Sequence, residues 1–223
     1  MITLRLISLL LFCSFALATD IVQIDVGTEV AFTGVLNMPK SYKIHPSNHG
    51  THMAKALESQ LKIVGSYPVQ AKQIVWDYEA KNSRNSLLLS LKEAIDESPL
   101  VLSLSLGGNR FDPTEEALIH VNTMNDTVIV AAAGNEGGGT NYFPANYSNA
   151  CILSVGTSLN GYRAYYSNHG SVWLEYNPMD PQGTSASAAR MAGIVLQIRR
   201  HNPKMNCADV VLTAKMLYGK IQR

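Results

Sequence analysis

The sequence has few cysteines, no excess of charge of either sign and, beyond its first residues, no long apolar run. Three cysteines in 223 residues are too few for the disulfide framework that stabilises small secreted domains. A formal net charge of +1 gives no indication of binding to nucleic acid or to an anionic membrane. Because the sequence also lacks internal repeats, low-complexity tracts and linker-like segments, we expect one domain.

The N-terminal segment has the pattern of a secretory signal peptide. Arg5 precedes an apolar run that ends in Ala16-Leu17-Ala18, and a basic start, a short apolar stretch and an A-x-A exit mark such a peptide. The alternative is a membrane anchor, for which the run is short. We therefore predict a signal peptide over residues 1–18, a mature domain over residues 19–223 and secretion to the extracellular space or the periplasm.

Cleavage after Ala18 changes the charge and the cysteine count. The segment takes with it one charged residue, Arg5, so that the formal charge of +1 becomes zero, and it removes Cys13. Cys151 and Cys207 remain. Export makes a disulfide between them possible, but a sequence does not supply the Cα separation that a disulfide requires. Between these alternatives we expect two buried free thiols.

Apolar runs alternate with segments of helical periodicity along the mature chain. The predicted strands are Ile21–Val26, Gln73–Tyr78, Leu100–Leu106, Thr127–Ala133 and Cys151–Val155. The predicted helices are His49–Val64, a segment marked by Leu88, Leu91 and Ile95 before Pro99, one starting at Asp112-Pro113, a long one from near Thr184 with Met191, Ile194, Val195 and Ile198 on one face, and roughly Cys207–Leu217. This alternation is typical of an α/β fold with a doubly wound, mostly parallel sheet flanked by helices. In such sheets, sites gather at the carboxyl ends of the strands.

Two polar residues stand where predicted helices begin. Ser185 follows Gly183-Thr184, and the field of a helix N-terminus favours the negative charge that develops on an attacked carbonyl. The alternative is a simple helix cap. His49 opens the first predicted helix, and a neutral imidazole is the usual base for activating a hydroxyl. The rival interpretations of His49 are a metal pair with His52 and a structural histidine, and against the metal the sequence lacks the H-E-x-x-H pattern.

Two further polar residues stand where predicted strands end. Asp25 closes the first strand, where a carboxylate can orient a histidine and stabilise its imidazolium. Asn135 follows the run that ends in Gly134, and its amide can donate a hydrogen bond to an acyl oxyanion. Ordinary turn roles are the alternative for both residues.

The order Asp25, His49, Asn135, Ser185 resembles that of the subtilisins, and the motifs around these residues resemble the motifs of the same family. The matching segments are His49-Gly50-Thr51-His52-Met53-Ala54, Ser105-Leu106-Gly107-Gly108, Ala132-Ala133-Gly134-Asn135, Phe143-Pro144-Ala145, Ser154-Val155-Gly156, Tyr166-Ser167-Asn168 and Gly183-Thr184-Ser185 with Ala192-Gly193. The resemblance covers nearly the whole mature chain.

The resemblance implies a serine endopeptidase with an Asp25–His49–Ser185 triad. In that family Ser185 would attack a peptide carbonyl, His49 would take its proton, and the Asn135 amide with the Ser185 N–H would hold the oxyanion of the acyl-enzyme reaction. Ser105, Leu106 and Gly107 would pair with the substrate backbone, and Glu136 would line the primary specificity pocket. These are the substrate-binding residues that we expect. We expect a polypeptide substrate, a monomer, no cofactor and no metal site.

Several positions depart from the family pattern. Val26 stands where the family usually has Ser or Thr, Ala186 where it has Met, and Ala189-Arg190 where it has Pro-His. The segments from Gly27 to Ser47 and from Asn177-Pro178 to Gly183 are short, and the position of Asp25 leaves no room for the usual propeptide after a cleaved signal. These departures keep a second hypothesis open, a catalytically inactive relative that binds peptides or a partner protein.

Overall fold

The computed structural model describes residues 19–26, 48–64, 69–76, 81–139 and 141–221. The predicted signal peptide and the loop from Gly27 to Ser47 lie outside these residues. The strands are β1 (Ile21–Asp25), β2 (Ala71–Val75), β3 (Val101–Leu104), β4 (Val128–Ala132), β5 (Ile152–Leu159), β6 (Tyr162–Arg163) and β7 (Val172–Glu175). The helices are α1 (His49–Val64), α2 (Ser83–Glu97), α3 (Pro113–Met124), α4 (Thr184–His201) and α5 (Cys207–Tyr218). The prediction of an α/β sheet in a single compact domain is confirmed.

The sheet reverses its winding direction between β1 and β3. Parallel pairing joins β2, β1, β3, β4, β5 and β7 in that order, while β6 lies antiparallel to β5. The chain therefore moves from β1 to one neighbour and then crosses to the other. In a doubly wound sheet, the carboxyl ends of the strands at such a reversal form a crevice that can bind a ligand.

Both faces of the sheet are covered by helices. Residues of α1, α4 and α5 pack on one face, with Ile21, Val101 and Val130 from the strands. Residues of α2 and α3 pack on the other face, with Val22 and Ile24. Burial of alternate side chains on opposite faces explains why β1 and β4 are buried along their whole length. In the part of the chain that is described, no helix is long and apolar enough to cross a membrane.

Most element bounds agree with the sequence-based expectations. Helix α1 has the predicted bounds, and Asp112 caps α3 by accepting hydrogen bonds from Thr114 N and Glu115 N. The largest differences concern β5, which continues to Leu159 instead of ending at Val155, and β6 and β7, which were not predicted. Helix α2 buries Leu87, Leu91 and Ala94 instead of the expected face with Leu88 and Ile95.

The expectation of two free thiols is wrong, because Cys151 and Cys207 form a disulfide. Their Cα atoms lie 5.1 Å apart, within the range that a disulfide spans. Cys151 directly precedes β5, and Cys207 is the first residue of α5. The separation depends on how α5 packs back against the sheet, beside β4, β5 and β7. Local sequence pattern does not report that packing.

Candidate active site

The carboxyl ends of β1 and β3 place two of the predicted site segments side by side. Ile24 pairs with Leu104 across these strands, so Asp25 and Ser105 each stand one residue beyond the last pair. Both residues are buried. Residues that hydrogen-bond with Asp25 and residues that hydrogen-bond with Ser105 therefore lie on neighbouring strand ends in the crevice.

His49 is held by Asp25. Its Nδ1 lies 2.7 Å from Asp25 Oδ1, and the same oxygen accepts the Val26 N–H at 2.8 Å. Burial opposes protonation of the imidazole, but the hydrogen bond and the charge of Asp25 outweigh it and raise the pKa of His49 above its usual value. The aspartate thus fixes the ring orientation and stabilises the imidazolium form.

Ser185 is tied to the end of β3 by a reciprocal pair of hydrogen bonds. Its hydroxyl donates to the Ser105 carbonyl at 3.2 Å, and the Ser105 hydroxyl donates to the Ser185 carbonyl at 2.9 Å. Ser185 is the second residue of α4, so its N–H has no acceptor within the helix and lies in the positive field of the helix start. The serine is therefore placed one strand away from the Asp25–His49 pair.

Asn135 is oriented by the start of the same helix. Its Oδ1 accepts from Thr184 N at 2.9 Å and from Thr184 Oγ1 at 3.2 Å, while Thr184 Oγ1 in turn accepts the Gly134 N–H at 3.1 Å. Because the backbone N–H of Thr184 can only donate, the amide oxygen must face α4. The amide nitrogen is thereby directed away from the Thr184 N–H.

Asn168 organises the loop that carries Asn135, a role that sequence reasoning missed. Its buried side chain accepts the N–H groups of Glu136, Gly138 and Gly139 at 3.0–3.2 Å and donates to the Ala133 carbonyl at 3.0 Å. The motif Tyr166-Ser167-Asn168 was the only signal in the sequence. It gives no indication of which loop the amide reaches.

A cleft of about 580 Å³ opens beside the loop that follows Asn135, and part of the predicted substrate-binding set lines it. Its lining consists of Gly107, Gly108, Asn109, Glu136, Gly139, Asn141, Tyr142 and Asn168. Gly107 and Glu136 are the two members of the predicted substrate-binding set that line this cleft. The side chains of Ser105 and Leu106 do not line the cleft, since Ser105 is bonded to Ser185 and Leu106 packs in the core on the α2 face.

Gly107 allows the chain to pass close to the wall of this cleft. A Cβ atom on Gly107 would lie 2.5 Å from both the Phe143 carbonyl oxygen and the Tyr142 ring. The next residue, Gly108, exchanges two backbone hydrogen bonds with Phe143, at 2.9 and 2.7 Å. Among the described residues, no group of three or more His, Cys, Asp or Glu side chains is arranged so that it could hold a metal ion.

Known proteins resemble the chain in sequence as well as in fold. The subtilase family model matches residues 37–218; Asp25 precedes this range, so its assignment depends on its contact with His49. The M-protease of Shouchella clausii (strain KSM-K16) is 29% identical over 182 residues, which cover 74% of this chain and 48% of the relative. Subtilisin Savinase of Lederbergia lenta is 29% identical over 182 residues, which cover 74% of this chain and 67% of that relative. The chain spans about half the length of the M-protease.

Solved structures agree with this fold. The protease domain of PatA, in a mutant form, superposes with a TM-score of 0.72 at 17% identity, and the match covers 92% of each chain. The maturation protease PagA superposes with a TM-score of 0.68 at 18% identity over 92% of this chain and 91% of the other. At such identities the structures establish the fold alone. Because the family model matches 182 residues of sequence, the chain belongs to the subtilase family.

Proposed function

We propose that this chain is a serine endopeptidase in which Ser185 is the nucleophile, His49 the general base and Asp25 the residue that orients the base. The observation that carries the proposal is the Asp25–His49 hydrogen bond of 2.7 Å at the end of β1, one strand away from the segment that holds Ser185. Since Nδ1 is engaged by Asp25, the serine proton would pass to Nε2. The Ser185 hydroxyl must then turn from the Ser105 carbonyl towards His49 when substrate binds.

The developing oxyanion would be held by two donors. The Asn135 amide nitrogen is directed by the two bonds from Thr184, and the Ser185 N–H stands at the start of α4. A donor that is fixed before the reaction needs no reorganisation when charge appears on the carbonyl oxygen. The substrate backbone would pair with the segment Ser105–Gly107, and a side chain of the substrate would enter the cleft beside Glu136.

We also propose that the protein is secreted after cleavage at Ala18. The Cys151–Cys207 disulfide supports this, because disulfides form and persist in oxidising compartments. The second hypothesis, a catalytically inactive peptide-binding relative, has one observation in its favour. The Ser185 hydroxyl is hydrogen-bonded to the Ser105 carbonyl, an acceptor that cannot remove its proton.

Labelling with a fluorophosphonate probe distinguishes the two hypotheses. We expect the probe to label the protein at Ser185, and we expect Ser185→Ala to lose both labelling and peptide hydrolysis while retaining the wild-type melting temperature. Ser148→Ala, at an exposed loop position, is the matched control and should behave as wild type. A wild-type protein that is folded but takes no label would support the binding-protein hypothesis instead.

A further inference from the structure

A row of buried polar side chains crosses the sheet directly below Asp25. Gln23 of β1 pairs in register with Gln73 of β2 on one side and with Ser103 of β3 on the other. All three are at most 1% exposed. Ile21, two residues before Gln23, belongs to the core beneath α1 and α4. Because strand side chains alternate between faces, Gln23 and then Asp25 continue on that same face towards the carboxyl end.

This row is costly to bury. Gln23 Oε1, Gln73 Oε1 and Ser103 Oγ have no hydrogen-bond partner within the described residues, and burial of an unsatisfied polar atom lowers the stability of the fold. The neighbouring positions on this face are apolar, such as Ile21 and Val101. Because an apolar side chain would pack better here, the presence of glutamines at these positions is not explained by stability.

The amide nitrogens of the two glutamines contact the backbone on either side of the Asp25–His49 pair. Gln23 Nε2 donates to the carbonyl of Gly50, the residue after His49, at 3.4 Å. Gln73 Nε2 donates to the carbonyl of Val26, the residue after Asp25, also at 3.4 Å. Both bonds are long, but they join two different strands to the two segments that carry the pair.

Gly50 brings these segments very close together. A Cβ atom at this position would lie 2.1 Å from the Val26 carbonyl oxygen and 2.8 Å from Gln73 Nε2. The first turn of α1 therefore lies directly on the end of β1, with the amide of Gln73 filling the remaining space. A shift of α1 along this contact would change the distance between His49 and Asp25.

We infer that Gln23 and Gln73 are positioning residues for His49, which hold the start of α1 against the end of β1 through the Gly50 and Val26 carbonyls. The inference rests on the proposed function. The glutamines touch no substrate and act through the ring orientation of His49. Their buried amides lower the stability of the fold and at the same time fix the Asp25–His49 geometry.

The kinetic test replaces each glutamine by methionine, which has a similar length and no amide. We expect Gln23→Met and Gln73→Met each to lower kcat about 3- to 30-fold on a peptide substrate, with KM within twofold of wild type, because a misplaced base affects the transition state and not ground-state binding. The melting temperature should stay the same or rise. Gln60→Met is the matched control, since Gln60 is a buried glutamine of α1 that lies remote from His49 in the same helix, and its kcat should not change.

A proton NMR measurement keeps the inference separate from the proposed function. The proton between His49 Nδ1 and Asp25 should give a low-field resonance in wild-type protein whether or not the protein hydrolyses peptides. In both glutamine variants it should move upfield or broaden by exchange with water, and in Gln60→Met it should stay in place. If either variant fails to fold, the other carries the test, since each glutamine holds a different carbonyl. An unchanged resonance and kcat together with a lower melting temperature would overturn the inference, as would equal effects in Gln60→Met.

Discussion

At the scale of single residues, the candidate site is oriented by side-chain oxygens that accept backbone N–H groups. Asp25 Oδ1 accepts from Val26, Asn135 Oδ1 accepts from Thr184, and Asn168 Oδ1 accepts from the loop that follows Asn135. Each bond fixes one end of a short side chain to the main chain. The rest of the side chain, or the second lone pair of the accepting oxygen, is thereby directed towards another group.

The proposed role of Asn135 can be separated from that of the proposed triad. We expect Asn135→Leu to lower kcat roughly 100- to 1,000-fold with little change in KM, because its hydrogen bond strengthens only as the carbonyl becomes an oxyanion. Kinetics with a peptide substrate measure this effect. Leu also removes the acceptor for Thr184, so thermal melting must be measured beside the kinetics. A lower melting temperature with kcat near wild type would leave Asn135 as a turn residue only.

The pH dependence of activity should report the Asp25–His49 pair. Only neutral His49 accepts the serine proton, and Asp25 raises the pKa of His49, so the acid limb of kcat/KM should have its midpoint above the ordinary value of about 6.5. The effect of pH on folding stability has the opposite sign. The Asp25–His49 ion pair stabilises the fold fully below the pKa that His49 has in the unfolded chain, and this contribution is lost as pH rises through the pKa of His49 in the folded protein.

Asp25→Asn tests this assignment. We expect the acid limb to move to lower pH and kcat to fall roughly 10⁴-fold, because the ring loses both its negative partner and its fixed tautomer. His52→Gln, an exposed change three residues further along α1, should leave the limb in place. A rate that is flat between about pH 5 and pH 8, across the ordinary histidine range, would contradict the assignment of His49.

At the scale of elements, the sequence predicts those whose pattern is set locally. The bounds of α1 follow from its apolar periodicity, and the start of α3 follows from the Asp112-Pro113 cap. Features that depend on tertiary packing are harder to predict from the sequence. Helix α2 offers leucines on several sides, and its contacts with α3 select the face with Leu87 and Leu91. Strand β3 ends at Leu104, before the predicted Leu106, where Ser105 turns to hydrogen-bond with Ser185.

The same distinction applies to the site. Asp25, His49, Asn135 and Ser185 could be proposed as site candidates from the sequence, because strand ends and helix starts have local signals and because their order resembles a known family. Asn168 and the buried pair Gln23 and Gln73 could not, since their roles depend on contacts between elements that are distant in sequence. A buried glutamine in a strand gives no local indication of which carbonyl it reaches.

At the scale of the whole molecule, the disulfide lies at the amino end of β5, whereas the candidate site lies at the carboxyl ends of β1 and β3. Cys151 precedes β5 and is bonded to the first residue of α5, whereas Asp25 and Ser105 follow the last residues paired between β1 and β3. Stability and catalysis should therefore respond separately to the loss of the disulfide.

In the exported protein, intact-mass measurement should find Thr19 at the N-terminus and two hydrogens fewer than the reduced chain.

Reduction should lower stability and leave catalysis intact. The disulfide closes a loop with a sequence separation of 56 residues, for which the chain-entropy argument gives a stabilisation of about 4 kcal/mol. In a domain of this size we expect the melting temperature to fall by roughly 10 °C in dithiothreitol, while kcat at 25 °C stays within about twofold because no site residue moves. The double variant Cys151→Ala, Cys207→Ala should melt near the reduced protein and be insensitive to dithiothreitol. If reduction instead abolished activity at 25 °C in protein that is still folded, α5 would have to be coupled to the site through α4, and the independence of the disulfide from the site would be wrong.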